Sequence, residues 1–168
     1  MDKAFVAILM GSESDLPVMQ GASDVLSSLG VTCEMKITSA HRTPAATQQY
    51  LADAESRGCE VFIAGAGLAA HLAGAVAAHT LKPVIGVPID SGPMQGMDSL
   101  LSTVQMPAGI PVGTVAIGKT GAKNAGYLAA QILALKDTDL AARVKAERQQ
   151  KADRVQSQDK ALQESRAS

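Results

Sequence analysis

The sequence predicts an α/β domain built around a five-stranded, parallel, doubly wound sheet. Five short apolar runs alternate with longer segments of helical character along the 168 residues, and this alternation is typical of consecutive βαβ units. The first run and most of the others are apolar at successive positions, which indicates strands covered on both faces. The length suits one domain with a sizeable core.

The first two units have clear boundaries. A strand at residues 4–10 is followed by a helix at residues 17–29, which Gly30 ends. The apolar face predicted for that helix comprises Val18, Ala22, Val25, Leu26 and Leu29. The second unit pairs a strand at residues 31–37 with a helix at residues 44–57.

The remaining units follow the same alternation. The third comprises a strand at residues 61–64, a turn at Gly65-Ala66-Gly67 and an alanine-rich helix at residues 68–79. The fourth and fifth comprise strands at residues 83–88 and 112–117 with helices at residues 97–104 and 122–135. The charged segment 136–168 is predicted to be a helix that docks at its start and frays at its end. We therefore divide the chain into a domain at residues 1–135 and an extension at residues 136–168.

The topology predicts where a site would form. Sheets of this kind bind ligands beyond the carboxyl ends of their strands, where the strand order reverses. The turns after the first three strands are residues 11–15, 39–42 and 65–71, and they carry polar or glycine residues. We expect these three turns to face one crevice.

The second turn carries the residues best suited to chemistry. In Thr38-Ser39-Ala40-His41-Arg42-Thr43-Pro44, a hydroxyl, an imidazole and a guanidinium precede a helix, with Thr43 as predicted N-cap and Pro44 as first helical residue. Helix N–H groups beside an arginine suit a phosphate, and an imidazole exchanges protons near neutral pH. In isolation, a capping turn with a surface arginine is the simpler interpretation.

Composition excludes several functional classes. A net charge of −1 and an aromatic content of 2% give neither a basic surface for nucleic acid nor stacking platforms for bases. No apolar stretch is long enough to span a membrane. Met1-Asp2-Lys3 leads straight into the first predicted strand, so no signal peptide is expected. Cys33 and Cys59 form no metal-type cluster, so we expect a reduced, cytoplasmic setting.

Charge is scarce in residues 60–135, where 76 residues carry six charged side chains. Ordinary domains carry roughly 25% charged residues. We expect much of this segment to be buried against other copies of the chain, and so predict a homo-oligomer.

Other motifs are weaker. Residues 113–120 match the Walker A pattern, but the intervening residues form the fifth strand instead of a loop after a strand, so ATP is not expected. Gly65-Ala-Gly67-Leu-Ala-Ala70 matches the dinucleotide fingerprint. A close approach of the backbone to a smaller ligand explains these glycines as well. The three histidines lack metal-ligand spacing, so no metal is expected, and His79 is interpreted as a helix cap.

Five motifs taken together resemble the PurE family, the N5-carboxyaminoimidazole ribonucleotide mutases of purine synthesis. They are Met10-Gly-Ser-Glu-Ser-Asp15, Ser39-Ala-His-Arg-Thr-Pro44, Gly65-Ala-Gly-Leu-Ala-Ala-His-Leu72, Pro83-Val-Ile-Gly-Val-Pro88 and Gln105-Met-Pro-Ala-Gly-Ile-Pro-Val-Gly113. The second and fifth resemble the bacterial mutase branch. Animal-type carboxylases, which use free CO2, carry a lysine after the histidine and lack the fifth motif.

The resemblance implies a flavodoxin-like, three-layer αβα sandwich that assembles as an octamer and uses no cofactor or metal. It implies His41 as the general acid and base. It implies a phosphate held by Ser12, Ser14, Ser39 and Arg42, and ribose hydroxyls bound by Asp15. The other substrate-binding residues that it implies are Ala40, Gly65, Gly67, Ala69, Ala70, His71 and Leu72.

The chemistry of that reaction agrees with this set. Protonation of the carbamate nitrogen releases CO2, the imidazole carbon captures it, and that carbon then loses a proton. One imidazole can give the first proton and take the last, while a small dry pocket retains the CO2. The phosphate grip supplies binding energy for orientation.

Two residues depart from the family pattern. Leu68 stands where the family commonly has glycine, and Ala73 stands where it has proline. Leu68 either narrows the carboxyl pocket or points into an interface between subunits, and the sequence leaves both open. Three alternatives also stay open: a carboxylase using free CO2, a nucleotide- or flavin-binding module without catalysis, and a catalytically silent relative kept for assembly.

Overall fold

The computed structural model describes residues 4–166, so Met1-Asp2-Lys3 and the last two residues lie outside the described part. The strands are β1 (Phe5–Met10), β2 (Thr32–Ile37), β3 (Cys59–Gly67), β4 (Val84–Ile89) and β5 (Gly113–Thr114). The α-helices are α1 (Leu16–Ser28), α2 (Pro44–Ser56), α3 (Leu72–Ala77), α4 (Met97–Val104), α5 (Gly118–Ala134) and α6 (Thr138–Arg166).

The sheet is parallel throughout, with the strand order β2-β1-β3-β4-β5. The predicted α/β class with a five-stranded parallel sheet is confirmed. The chain passes from β1 outward to β2 and then returns to the other side of β1 to form β3. The strand order therefore reverses between β1 and β3, and this is where the loops after these strands open a crevice.

Strand β1 shows why the domain has three layers, because all six of its residues are buried. Val6, Ile8 and Met10 belong to the core on one face, which α1 and α5 cover. Phe5, Ala7 and Leu9 belong to the core on the other face, which α2 and α3 cover. Alternate side chains of a strand point to opposite faces, so an apolar run fills two cores at once.

Two elements of the third unit differ from the sequence prediction. Strand β3 continues through the predicted turn to Gly67, because Gly65, Ala66 and Gly67 pair in register with the last residues of β4. The helix begins at Leu72 instead of residue 68. Leu68 has a φ of 55°, which a right-handed helix does not contain.

The fifth unit also differs. Strand β5 has only two residues instead of six, because it lies at the sheet edge and pairs with Ile85 and Gly86 alone. Helix α5 begins at Gly118, four residues before the predicted start. A Cβ at Gly121 would overlap the Ala116 carbonyl oxygen. The glycine therefore allows a close approach that outweighs its low helix propensity.

The C-terminal segment forms one helix, α6, as far as the described chain extends. Leu140 is its one buried residue among those described, and Arg143 Nε donates to the Leu29 carbonyl at 2.8 Å. Residues 148–166 are all exposed. In the part of the chain that the structure describes, no helix has the length and apolarity needed to cross a membrane.

Helix α1 confirms most of the predicted apolar face. Ala22, Val25 and Leu26 are buried, but Val18 is only half-buried, and Met19, which was not predicted, is fully buried. Met19 lies over Gly65 of β3, where its Cε would be 2.8 Å from an added Cβ. Met19 precedes Ala22 and Leu26 by three and seven residues, so it fits the helical period of this face and should have been included in it.

We predict that Gly86→Ala destabilises the domain. An added Cβ would overlap Thr103 Cγ2 and lie 2.9 Å from Val112 Cγ1 and 3.3 Å from Ala73 Cβ. Overpacking of this kind costs about 1–3 kcal/mol. Urea unfolding measures it, with Gly113→Ala as the matched control, because an added Cβ there makes one ordinary contact at 3.7 Å. Equal midpoints for the two variants would contradict the packing argument.

Candidate active site

The loops after β1, β2 and β3 meet in one cavity of about 570 Å³ at the carboxyl edge of the sheet. Its lining residues are Gly11, Ser12, Ser14, Asp15, Ser39, Ala40, His41, Arg42, Ala66, Gly67, Leu68, Ala69, His71, Leu72 and Ser91. The predicted convergence of three loops is confirmed, and the loop after β4 adds a fourth wall through Ser91.

The loop after β1 is closed by a capping box. Ser12 Oγ accepts a hydrogen bond from the Ser14 N–H at 3.4 Å, and the Asp15 carboxylate accepts one from the Ser12 N–H at 3.1 Å. Ser14 Oγ also donates to Ser12 Oγ at 3.1 Å. Two hydroxyl groups and one carboxylate are thereby held at the cavity wall by a short 3-10 turn.

Asp15 is the buried acid of the site, with 5% of its surface exposed. Burial raises the pKa of its carboxyl, while hydrogen bonds from the backbone of Ser12 and Gly11 and the nearby charge of Arg42 lower it. Burial is the larger of these effects, so the pKa of Asp15 is raised overall. The direction follows because loss of water contact disfavours the charged carboxylate. A buried carboxylate already held by N–H groups is a well-ordered acceptor for a ligand hydroxyl.

The loop after β2 is held by a threonine cluster. Thr38 Oγ1 and Thr47 Oγ1 lie 2.6 Å apart in a buried hydrogen bond. Thr43 occupies the predicted N-cap position of α2, but its side chain caps no helix N–H. Instead, Thr43 Oγ1 accepts from the Ser39 N–H at 2.9 Å. The hydroxyl therefore closes the turn that presents Ser39 to Arg42, and the capping prediction was wrong in this respect.

Arg42 links the first two loops. Its Nη2 donates to the Gly11 carbonyl at 2.9 Å, and its Nε donates to Ser39 Oγ at 3.4 Å. A guanidinium has five N–H donors, and its other donors have no hydrogen-bond partner among the described residues. The group is thus positioned by the protein while retaining donors for an anion.

His41 and His71 are in direct contact. His41 Nε2 lies 2.6 Å from His71 Nδ1, and the ring centroids are 4.8 Å apart at an interplanar angle of 85°. Such a hydrogen bond requires that one of the two nitrogens carries the proton and the other accepts it. The sequence placed both residues at the site, 30 positions apart, and the structure brings them within hydrogen-bonding distance.

The end of β3 and the loop after it contribute small residues. Gly67 and Ala69 line the cavity, and Leu72 lines it from the first turn of α3. Gly65 and Ala70 are buried and do not line it. Gly65 is separated from the cavity because Met19 covers it. Ala70 instead faces α4, where its N–H donates to Ser102 Oγ at 2.9 Å.

The same packing bears on the dinucleotide fingerprint at Gly65 and Gly67. In that motif, absent side chains let a pyrophosphate approach the backbone. Here Met19 fills the space beside Gly65, and Ser91 Oγ fills the space beside Gly67. Protein atoms therefore occupy the approaches that a dinucleotide would need.

Three lining residues, Gly11, Ala66 and Leu68, lie within the turns expected to face the crevice but were not chosen as site residues, and Ser91 was missed altogether. Gly11 and Ala66 adjoin residues that were chosen, but Leu68 and Ser91 carry side chains of their own to the cavity. Ser91 lies two residues after the end of β4. Its position at the carboxyl edge of the sheet could therefore have been predicted from the topology. For Leu68 the sequence left two directions open, into the carboxyl pocket or into an interface between subunits, and the structure places it in the lining of the cavity.

A second cavity, of about 890 Å³, lies at the amino-terminal edge of the sheet, between the end of α3 and the connection before β5. None of the predicted site residues lines it. The histidine that lines it, His79, has Nδ1 2.8 Å from the Ala75 carbonyl oxygen. This agrees with its interpretation as a helix cap.

The arrangement at the carboxyl edge can bind an anion and move a proton. The cavity lining includes hydroxyl groups, a guanidinium and two hydrogen-bonded imidazoles. Small residues of the β3 loop form the surface beside them. A phosphorylated ligand held at one end would place its other end beside the histidines.

Comparison with known proteins gives the chain close relatives. A family model described as AIR carboxylase matches residues 5–154. The N5-carboxyaminoimidazole ribonucleotide mutase of Vibrio parahaemolyticus is 55% identical over 150 residues, covering 89% of this chain and 93% of that protein. The mutase of Bacillus subtilis is 56% identical over 144 residues, covering 86% and 89%.

Solved structures include a similar fold. The crystal structure of Treponema denticola PurE superimposes with a TM-score of 0.87 at 31% sequence identity, covering 95% of this chain and 99% of that chain. The similarity extends over nearly the whole of both molecules.

Proposed function

The chain belongs to the AIR carboxylase family, and we propose that it is an N5-carboxyaminoimidazole ribonucleotide mutase of purine biosynthesis. The reaction moves a carboxyl group from the exocyclic nitrogen of the nucleotide to the ring carbon. The observation that carries the proposal is that His41 shares one cavity with the hydroxyl and guanidinium groups of Ser12, Ser39 and Arg42.

Substrate binding begins at the phosphate. Arg42 and the hydroxyls of Ser12, Ser14 and Ser39 surround one side of the cavity and would hold the 5-phosphate. Charge-assisted hydrogen bonds from a guanidinium are about twice as strong as neutral ones. Asp15, buried and fixed by backbone N–H groups, accepts hydrogen bonds from the ribose hydroxyls.

The reacting end lies against the β3 loop and the adjoining residues. Gly67, Ala69, His71 and Leu72 line the cavity beside His41, and Ala40 lines it from the β2 loop. Gly65 and Ala70 support this wall from behind. Small side chains let a planar imidazole and a CO2 molecule approach the backbone closely, and they exclude water once the nucleotide is bound.

His41 supplies the proton transfers. It gives a proton to the carbamate nitrogen, the nitrogen–carbon bond breaks, and CO2 is released within the cavity. The ring carbon of the nucleotide then attacks CO2 and forms the new carbon–carbon bond. His41 finally removes the proton from that carbon, so that His41 returns to its starting protonation state and no net proton is consumed.

His71 assists His41 through their hydrogen bond. The 2.6 Å contact between Nε2 of His41 and Nδ1 of His71 fixes the orientation of the His41 ring by giving it a second imidazole as hydrogen-bond partner. The step needs only a positioned acid and base and a phosphate anchor, and neither a metal nor an organic cofactor takes part.

Two alternatives are separable by experiment. A carboxylase would take its carboxyl group from free CO2, so labelled bicarbonate would enter the product at full stoichiometry. A mutase would instead transfer the label that is already on the carbamate. A nucleotide- or flavin-binding module without catalysis would bind a ligand and show no interconversion, and the filled space beside Gly65 and Gly67 disfavours a dinucleotide as that ligand.

Helix α4 exposes an apolar stripe that favours self-association. Met97, Leu101 and Val104 are 45–49% exposed, and Met94 before the helix is 57% exposed. Their spacing of three and four residues places them on one helix face. A second copy of this chain is the occupant that fits, since the charge-poor segment 60–135 would provide the matching apolar surface.

We propose a homo-oligomer, and an octamer is the assembly that the family resemblance implies. We also assign the protein to the cytoplasm, where the free thiols of Cys33 and Cys59 would stay reduced. Burial raises the pKa of the Cys59 thiol to about 11, so this side chain is a packed hydrophobe and not a reactive group.

His41→Asn should keep the fold and nucleotide binding but lower turnover by at least roughly 100-fold, the smallest contribution usual for a positioned acid–base group. An ultraviolet assay of the interconversion, with the unstable carbamate prepared in situ, measures it. His79→Asn is the matched control, because His79 lies at the other edge of the sheet. Near-normal turnover in His41→Asn would mean that another group carries the proton.

Arg42→Ala should weaken nucleotide binding by roughly tenfold or more, since hydrogen bonds to charged groups contribute about 1.5–3 kcal/mol. Isothermal titration with the 4-carboxy nucleotide measures the affinity. Arg57→Ala is the control, because that arginine pairs with Glu34 and Asp53 and does not line the cavity. Unchanged affinity in Arg42→Ala would place the phosphate elsewhere.

Leu101→Glu should shift the assembly toward smaller species, because it places a charge on the apolar stripe. Sedimentation velocity at micromolar concentration measures this. Leu162→Glu on α6 is the control, since Leu162 is similarly exposed at 53%. A wild-type protein that sediments as a single 17.2 kDa chain would contradict the oligomer.

A further inference from the structure

Leu68 has an unusual backbone conformation next to the site. It is the first residue after β3, and its φ of 55° lies in the left-handed region. Gln95, with a φ of 50°, is the other non-glycine residue with a positive φ in the described chain. Leu68 belongs to the β3–α3 loop and Gln95 to the β4–α4 loop. This conformation is costly for residues with a Cβ, so tertiary contacts must hold it.

The β3–α3 and β4–α4 loops pack against each other through two pairs of one large and one small residue. Ser91 Oγ occupies the space where a Cβ of Gly67 would lie, and Leu68 Cδ2 occupies the space where a Cβ of Gly92 would lie. Each loop thus pairs a small residue with a larger one on the other loop, in opposite order. Neither glycine can gain a side chain unless the opposite loop moves.

The backbone of the β3–α3 loop is also anchored to α4, the helix that follows the β4–α4 loop. Ser102 Oγ, on α4, accepts from the Ala70 N–H at 2.9 Å and donates to the Asp98 carbonyl of its own helix at 2.7 Å, with the Leu68 carbonyl oxygen 3.4 Å away. The loop is therefore held through its main chain on one side. On the other side it is held through the Leu68 side chain.

Leu68 and Ser91 line the same cavity as His41 and His71. Leu68 is 51% exposed, so it lies at the rim where the cavity meets solvent. Leu68 and Leu72 are the large apolar side chains among the lining residues, and Leu72 is buried. Leu68 is thus the apolar side chain placed between the reacting end of the cavity and water.

We propose that Leu68 is a positioning residue that, through its contact with Gly92, holds the β4–α4 loop as the wall that retains CO2. The proposal rests on the proposed mutase function. If the wall opens, the carbamate nitrogen–carbon bond still breaks and the nitrogen still takes a proton from His41. The CO2 then leaves, the aminoimidazole ribonucleotide is the product, and water returns the proton to His41.

The test is a double-mutant cycle with Leu68→Gly, Gly92→Ala and the double variant. Leu68→Gly adds no atom, and glycine adopts a positive φ without steric strain, so the variant should fold. We expect it to release a severalfold larger share of decarboxylated nucleotide per turnover. Gly92→Ala should lower kcat/KM by roughly tenfold, and the double variant should recover most of that loss. Contacting residues show couplings of roughly three- to a hundredfold.

The control is Gly113→Ala, which adds a methyl group where it makes one ordinary contact, and it should match the wild type. Chromatography of the nucleotides gives the partition between products. Hydrogen exchange of residues 91–96 gives a readout without catalysis. Exchange should accelerate in Gly92→Ala and return toward the wild type in the double variant.

The outcomes separate the two proposals. A wild-type protein with no interconversion would defeat the mutase function, while exchange in the loop would still decide whether the two loops pack in this way. An active wild type with additive effects in the cycle and an unchanged product partition in Leu68→Gly would overturn the positioning role alone.

Discussion

The site depends on missing side chains at the carboxyl end of β3. Gly65 and Gly67 leave room for Met19 of α1 and for Ser91 of the β4–α4 loop. A Cβ at either glycine would push one of these elements away from the sheet, because neither space can be shared. Close approach here lets the loops after neighbouring strands meet around one cavity. The functional groups are few and ordinary, and their convergence is what the packing of the fold provides.

This packing lets different parts of the chain fix the two functional groups of the cavity, Arg42 and His41. Arg42 is held by a carbonyl of the β1 loop and a hydroxyl of its own loop, so it meets a ligand already oriented. His41 is held by a residue of the β3 loop. The anchor and the acid–base group are adjacent in sequence but are fixed by different neighbours. Binding energy gained at the phosphate can therefore be used to orient the imidazole of the substrate.

The sequence predicted the sheet and the position of the site, and it failed where long-range contacts decide. Buried strands such as β1 are continuous apolar runs, so their pattern is local and legible. The start of α3 was misplaced because nothing local reveals the left-handed Leu68 or its contact with Gly92. Likewise Thr43 has the residue type of an N-cap, but its hydroxyl is taken by Ser39. Ser91 was missed because its loop lacks a recognisable motif.

Helix α6 combines continuous secondary structure with very uneven support. Its first half is fixed by Leu140 and by the contacts of Arg143, Glu147 and Lys151 with the body. Its outer half is wholly exposed and holds local pairs such as Gln163 with Asp159 and Lys160 with Glu164, which contribute only a few tenths of a kcal/mol each. The free energy of local unfolding must therefore fall steeply from the first turns of α6 to its last described turn. The far end can unwind and re-form many times while the catalytic body stays folded.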